Sequence, residues 1–130
     1  MTKKRVLLAG AETELGRACA EALSRAGMKL ALVAGSADGE TAFAVKRLAK
    51  KLNAAASQAI DATNEAAVRV MVRQVAKELG GLDAVVDATG ASPGHVERLA
   101  RKELDRSGGS IFVVASSADD VVEAIDGGAT

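Results

Sequence analysis

Residues 9–17 read Ala-Gly-Ala-Glu-Thr-Glu-Leu-Gly-Arg and follow the apolar run Val6-Leu7-Leu8. An amphipathic helix pattern opens at once behind them, with Leu15, Ala18, Cys19, Ala22, Leu23 and Ala26 spaced three and four apart. Few folds accept a strand fed into a helix through so tight a glycine turn. Glycine there lets backbone approach a pyrophosphate, and the helix N-terminus offers free N–H groups and a positive dipole end. The middle glycine position, however, holds Glu14. A carboxylate at a helix N-terminus interacts well with the dipole. Glu14 is therefore expected to satisfy internally what a phosphate would otherwise satisfy.

The rest of the chain repeats the alternation. Strands are expected at Arg5–Ala9, Leu30–Ala34, Ala56–Ile60, Leu82–Ala88 and Ser110–Ala115. Helices are expected from the glycine turn to a C-cap at Gly27, over Glu40–Leu52, from a Thr63 or Asn64 cap to Leu79, after Ser92-Pro93-Gly94, and from about Ala118 to a frayed Gly127-Gly128. The third helix carries a clean apolar stripe of Val68, Met71, Val72, Val75, Ala76 and Leu79. Nearly unbroken apolar strands fit a sheet covered on both faces. The expected fold is α/β: one doubly wound, Rossmann-like domain over residues 1–130 with a five-stranded parallel sheet in the order 3-2-1-4-5. Ligands of such sheets sit beyond the carboxyl ends of the strands. Here that edge is formed by the loops after Ala9, Ala34, Ala88 and Ala115.

Composition closes several routes. The 17 basic and 17 acidic residues cancel, so no net field argues for nucleic acid or an anionic membrane. One cysteine makes no internal disulfide, and Cys19 on the helix stripe reads as core packing. His95 is the single histidine and reads as a surface loop residue; no metal site is expected. The N-terminal apolar run is too short for a signal peptide or a membrane span, so a cytoplasmic location is expected. Lys46, Arg47, Lys50 and Lys51 form a basic helix face with no aromatic residue evident nearby, expected to be solvated.

Four segments in this order resemble the short-chain dehydrogenase/reductase superfamily. Gly10-x-x-x-Glu14-x-Gly16 resembles its Gly-x-x-x-Gly-x-Gly turn, and Asp61-Ala62-Thr63 resembles the Asp that approaches adenine. Asp87-Ala88-Thr89-Gly90 resembles the Asn-Asn-Ala-Gly signature, and Gly108-Gly109-Ser110-Ile111 leading to Ser116 resembles strand five with its serine. The resemblance implies a dinucleotide site at Gly10, Thr13, Glu14, Leu15, Gly16, Asp61, Ala62, Ala88 and Gly90. It also implies pairing through helices four and five.

The departures imply a truncated, degenerate member. The family's Tyr-x-x-x-Lys pair has no counterpart, because the chain holds no tyrosine. The segment from Gly90 to Gly108 is short, and the last two strands of the family are absent. Without a phenol acidified by a lysine, Ser116 lacks a base and stands as a remnant; Ser116 and Ser117 read as helix caps. Strand two ends in Ala34-Gly35, with neither the acid of an NAD site nor the base of an NADP site. Asp61 reads equally well as an adenine acceptor or as a turn at a strand end.

The expectation is a catalytically inactive subunit, structural or partner-binding, with no catalytic residue. No cofactor is expected, although NAD or NADP could bind weakly. The expected partner is protein, either the chain itself or a full-length relative. A minimal NAD(P)- or nucleotide-binding domain, or an oxidoreductase component completed by another chain, is the alternative. The apolar fifth strand, Ile111 to Val114, is expected to need cover from Val121, Val122 and Ile125 or from a partner.

Overall fold

The computed structural model describes residues 3–90 and 94–127. Ten elements alternate along it: Arg5–Ala9 (β1), Glu14–Arg25 (α1), Lys29–Ala34 (β2), Gly39–Leu52 (α2), Ala56–Ala59 (β3), Glu65–Leu79 (α3), Ala84–Asp87 (β4), His95–Ser107 (α4), Ile111–Val114 (β5) and Ala118–Gly127 (α5). The strands pair in parallel in the order β3-β2-β1-β4-β5. The doubly wound, Rossmann-like reading is borne out.

Successive side chains of a strand point to opposite faces, so β1 divides its residues between two cores. Val6 and Leu8 join Cys19, Leu23, Val45, Val121 and Ile125 under α1, α2 and α5. Leu7 and Ala9 join Val68, Met71, Val75, Leu99 and Leu104 under α3 and α4. Cys19 is fully buried as expected, and burial pushes its thiol pKa up.

Local chemistry sets the helix ends. Asp38 caps α2, accepting from the N–H groups of Glu40 and Thr41. Asn64, not Thr63, caps α3 by accepting from Ala67. At the end of α1 the cap is Ala26, and Gly27 follows it with a φ of +81° that non-glycine residues rarely adopt. Three strands are shorter than expected because regular pairing stops before their apolar runs do. The hydrogen bonding continues one residue further in irregular form: Ile60 donates to Ala34, Ala88 to Ala9 and Ala115 to Asp87. The expected start of α4 at Ser92-Pro93 lies outside the described residues, as does Gly128.

Helix α5 lies against α1, while α4 lies against α3 on the opposite face of the sheet. The two helices through which the resemblance implies pairing therefore lie on opposite faces of the sheet. Lys4 fastens α5 from below, its Nζ donating to the Ile125 carbonyl at 2.9 Å. Val121 and Ile125 cover one face of β5, and Phe112 packs on the other with the Arg101 guanidinium 5.3 Å from its ring. The outer edge of β5 pairs with no strand among the described residues, and Val114 is 52% exposed.

At the amino ends of β1 and β4 sits an ionic clamp. The Asp83 carboxylate accepts from the Arg5 backbone N–H at 2.7 Å and from Nε and Nη2 of its side chain at 3.0 Å each. The Arg5 Nη1 group donates to the Gly80 carbonyl. Hydrogen bonds from Arg5 hold the Asp83 carboxyl below the usual carboxylate range. A folded-state pKa below the unfolded one adds stability above the unfolded value, and that stability is lost as pH falls through the folded value. Asp83→Asn should therefore cost about 1 kcal/mol near neutrality. Thermal melts of parent and variant should differ at neutral pH and converge in acid; a gap that persists in acid contradicts the clamp.

Candidate functional site

The loops after β1, β2, β3 and β4 converge at the carboxyl edge of the sheet. The N–H groups of Gly10 and Ala11 both donate to the Val33 carbonyl, tying the glycine turn to β2. Gly10 has φ +85°, and a Cβ there would lie 2.5 Å from the carbonyl carbon of Ala88. A Cβ on Gly16 would lie 2.0 Å from the Gly10 carbonyl oxygen. Both glycines are thus demanded by contacts of the chain with itself.

Position 14 is different. Glu14 is the first residue of α1, on ordinary helical backbone, exposed, and without a hydrogen bond or ion pair among the described residues. The expectation that its carboxylate fills the helix end is corrected: Thr13 does so. Thr13 Oγ1 accepts from Gly16 N–H at 2.8 Å and donates to the Gly10 carbonyl at 2.9 Å. A hydroxyl one residue earlier has the backbone conformation a cap requires, which the first helical residue does not. The N–H groups of Glu14 and Leu15 lie in the first turn, where a helix supplies no acceptor.

Glu12 was not singled out by the sequence reading. Its carboxylate reaches the loop after β2 and accepts from Gly35 N–H at 3.0 Å. A Cβ on Gly35 would lie 3.3 Å from that carboxylate, 3.4 Å from the Thr89 methyl and 3.7 Å from Ala62. An acidic group thus reaches the end of β2 from the glycine turn rather than from β2 itself. Nothing in the spacing of the sequence separates Glu12 from Glu14; only the fold does.

Asp61 and Asp87 resolve in the same way. Asp61 accepts from Thr63 N–H at 2.9 Å and from Thr63 Oγ1 at 2.6 Å. Asp87, 4% exposed, accepts from Thr89 N–H at 2.9 Å and from Thr89 Oγ1 at 2.6 Å. Of the two readings of Asp61, its carboxylate is engaged in the turn, and the Thr63 hydroxyl lowers its pKa. The sequence signal was present: Asp-Ala-Thr occurs twice, each time where a strand ends. Ala62 and Ala88 are buried, and Gly90 is exposed with φ +76°.

Ser116 and Ser117 stand before α5. Ser117 Oγ accepts from Asp120 N–H at 3.1 Å, and Ser116 Oγ lies 3.4 Å from the Asp120 carboxylate. Ser117 is thus the cap, and the side chain beside Ser116 is the Asp120 carboxylate, with no tyrosine or lysine between them. His95 opens α4 rather than sitting in a loop, with Nδ1 3.3 Å from Arg98 and 3.9 Å from Glu65. Among the described residues no three His, Cys, Asp or Glu side chains gather as metal ligands. No helix is long and apolar enough to cross a membrane.

A family model described as enoyl-(acyl carrier protein) reductase matches residues 9–108. Solved structures share the fold. A short-chain type dehydrogenase/reductase from Mycobacterium marinum superposes with a TM-score of 0.68 at 26% identity, over 87% of this chain and 56% of its own. One from Mycobacterium ulcerans gives 0.72 at 19% identity, over 99% and 64%. An NAD+-bound xylitol dehydrogenase gives 0.70 at 19% identity, over 95% and 55%. The chain thus spans between 55% and 64% of the length of these structures. No curated protein sequence matches it.

Positions 14 and 16 of the turn should respond unequally to substitution. Gly16→Ala forces backbone apart and should cost more than about 2 kcal/mol. Glu14→Gly should cost less than about 1 kcal/mol, the intrinsic helix penalty of glycine. Chemical denaturation of both variants measures this; equal losses would show that position 14 also serves the fold.

Proposed function

The chain belongs to the short-chain dehydrogenase/reductase superfamily, and we propose that within it this domain is catalytically inactive and acts by contact with protein. One observation carries the reading. The two glycines that the turn needs for its own packing are kept, and the one position that only a ligand needs free of a side chain holds Glu14. Backbone must approach a pyrophosphate closely there, and a carboxylate opposes phosphate charge by about 1–4 kcal/mol at surface-like dielectric. Glu12, Thr13, Asp61 and Asp87 are meanwhile engaged by the loops themselves.

The chemistry points the same way. The helix after β5 carries Asp119, Asp120, Glu123 and Asp126 and no Tyr-x-x-x-Lys pair. Proton transfer to a substrate needs a positioned acid or base, and the Tyr-x-x-x-Lys pair that would supply it beside Ser116 is missing, since the sequence holds no tyrosine. The partner in this reading is a second copy or a full-length relative, and the edge of β5, unpaired among the described residues, supports it.

A second reading, a minimal nucleotide-binding domain or one completed by another chain, is favoured by the first-turn N–H groups of Glu14 and Leu15, which the Thr13 cap does not occupy. Calorimetric titration separates the two. The unmodified chain should give no heat with NADH or NADPH, and Glu14→Gly should gain affinity. Micromolar binding by the parent, unchanged in Glu14→Gly, would overturn the reading. The purified chain should also turn over no ketone or alcohol with either cofactor; turnover abolished by Ser116→Ala would refute inactivity.

A further inference from the structure

We propose that the face built by α2, α1 and α5 is a self-complementary surface joining two copies of this chain about a two-fold axis. The proposal rests on the reading that the chain acts by protein contact.

The two flanks of this face carry opposite charge. On α2, Lys46, Arg47 and Lys50 point away from buried Val45 and Ala49 and meet no acidic partner among the described residues. Lys51 alone is engaged, 3.7 Å from Glu21 of α1. Contrary to the sequence reading, an aromatic residue sits among these cations. Phe43 is 62% exposed with the Arg47 guanidinium 5.8 Å from its ring, beside an open depression of about 500 Å³. On α5, Asp119, Glu123 and Asp126 recur four and three apart opposite buried Val121 and Ile125. They and Asp120 are exposed, and no cation pairs with any of them among the described residues. Helix α1 lies between α2 and α5.

The opposite face of the sheet is built otherwise. There Glu65 pairs with Arg69 and Arg98, Glu97 with Arg101, and Glu103 with Arg73 and Arg106. Each of these three acids has an arginine partner, whereas Lys46, Arg47 and Lys50 of α2 and the acids of α5 have no ion pair among the described residues. An axis along α1 sets α2 of each copy on α5 of the other, giving two identical contacts. An axis across α1 would set α2 on α2, like charge on like. Exposed ion pairs are individually weak and screened by salt, so Phe43 is the apolar anchor and the charges fix orientation.

Sedimentation of the full chain tests this. The parent should dimerise at about 0.02 M salt and bind itself at least about tenfold more weakly at about 0.5 M. Lys46→Glu with Arg47→Glu and Lys50→Glu should be monomeric, as should Asp119→Lys with Glu123→Lys and Asp126→Lys. Circular dichroism confirms that these surface variants fold. Mixing the two should restore a dimer, because each reversed helix then meets its complement. Association indifferent to salt and to both reversals, open higher oligomers, or no heterodimer on mixing would overturn the proposal. A monomeric parent captured by a full-length relative through β5 would overturn this surface while leaving the non-catalytic reading intact.

Discussion

Everything at the carboxyl edge depends on how closely β1 can be followed by its own turn. Gly10 is held between the Val33 carbonyl of β2 and the backbone of Ala88 after β4, with no room for a Cβ. Gly16 sits equally close above the Gly10 carbonyl. These contacts aim α1, and α1 in turn forms the floor on which α2 and α5 pack. The constraint is one of backbone proximity, and it acts whether or not a ligand is present.

That distinction separates what the fold requires from what a ligand requires. A glycine used by the fold cannot be replaced without moving backbone, whereas a glycine used only by a ligand can be replaced once the ligand is not needed. Glu14 occupies such a position and leaves α1 undisturbed. Around it Thr13, Glu12, Asp61 and Asp87 satisfy N–H groups of the same loops. The resulting edge holds its shape through its own hydrogen bonds.

Most of the fold was legible in the sequence, because apolar runs and helical stripes report burial directly. The ten elements fall where the periodicity of Val6–Leu8, Leu30–Ala34 and Val68–Leu79 puts them. Strand ends were less legible, since pairing stops where the neighbour stops rather than where apolar residues do. The site was legible as a place but not as a set of roles. Thr13 and Glu14 differ by one position along the chain, yet only the backbone conformation decides which of them caps α1. Glu12 reaches Gly35 across a gap of 23 residues that no local pattern records. The side of the sheet chosen by α5 was also invisible locally, because an amphipathic helix reveals that it has an inner face but not which core receives it.

Amide chemical shifts of the isotopically labelled chain, followed while NADH is added, test the central claim most directly. The expected result is that the amides of Gly10, position 14, Leu15 and Gly16 hold their positions in the parent and shift on NADH addition only in Glu14→Gly, with the rest of the spectrum unchanged. Saturable shifts confined to these four amides in the parent itself would contradict it.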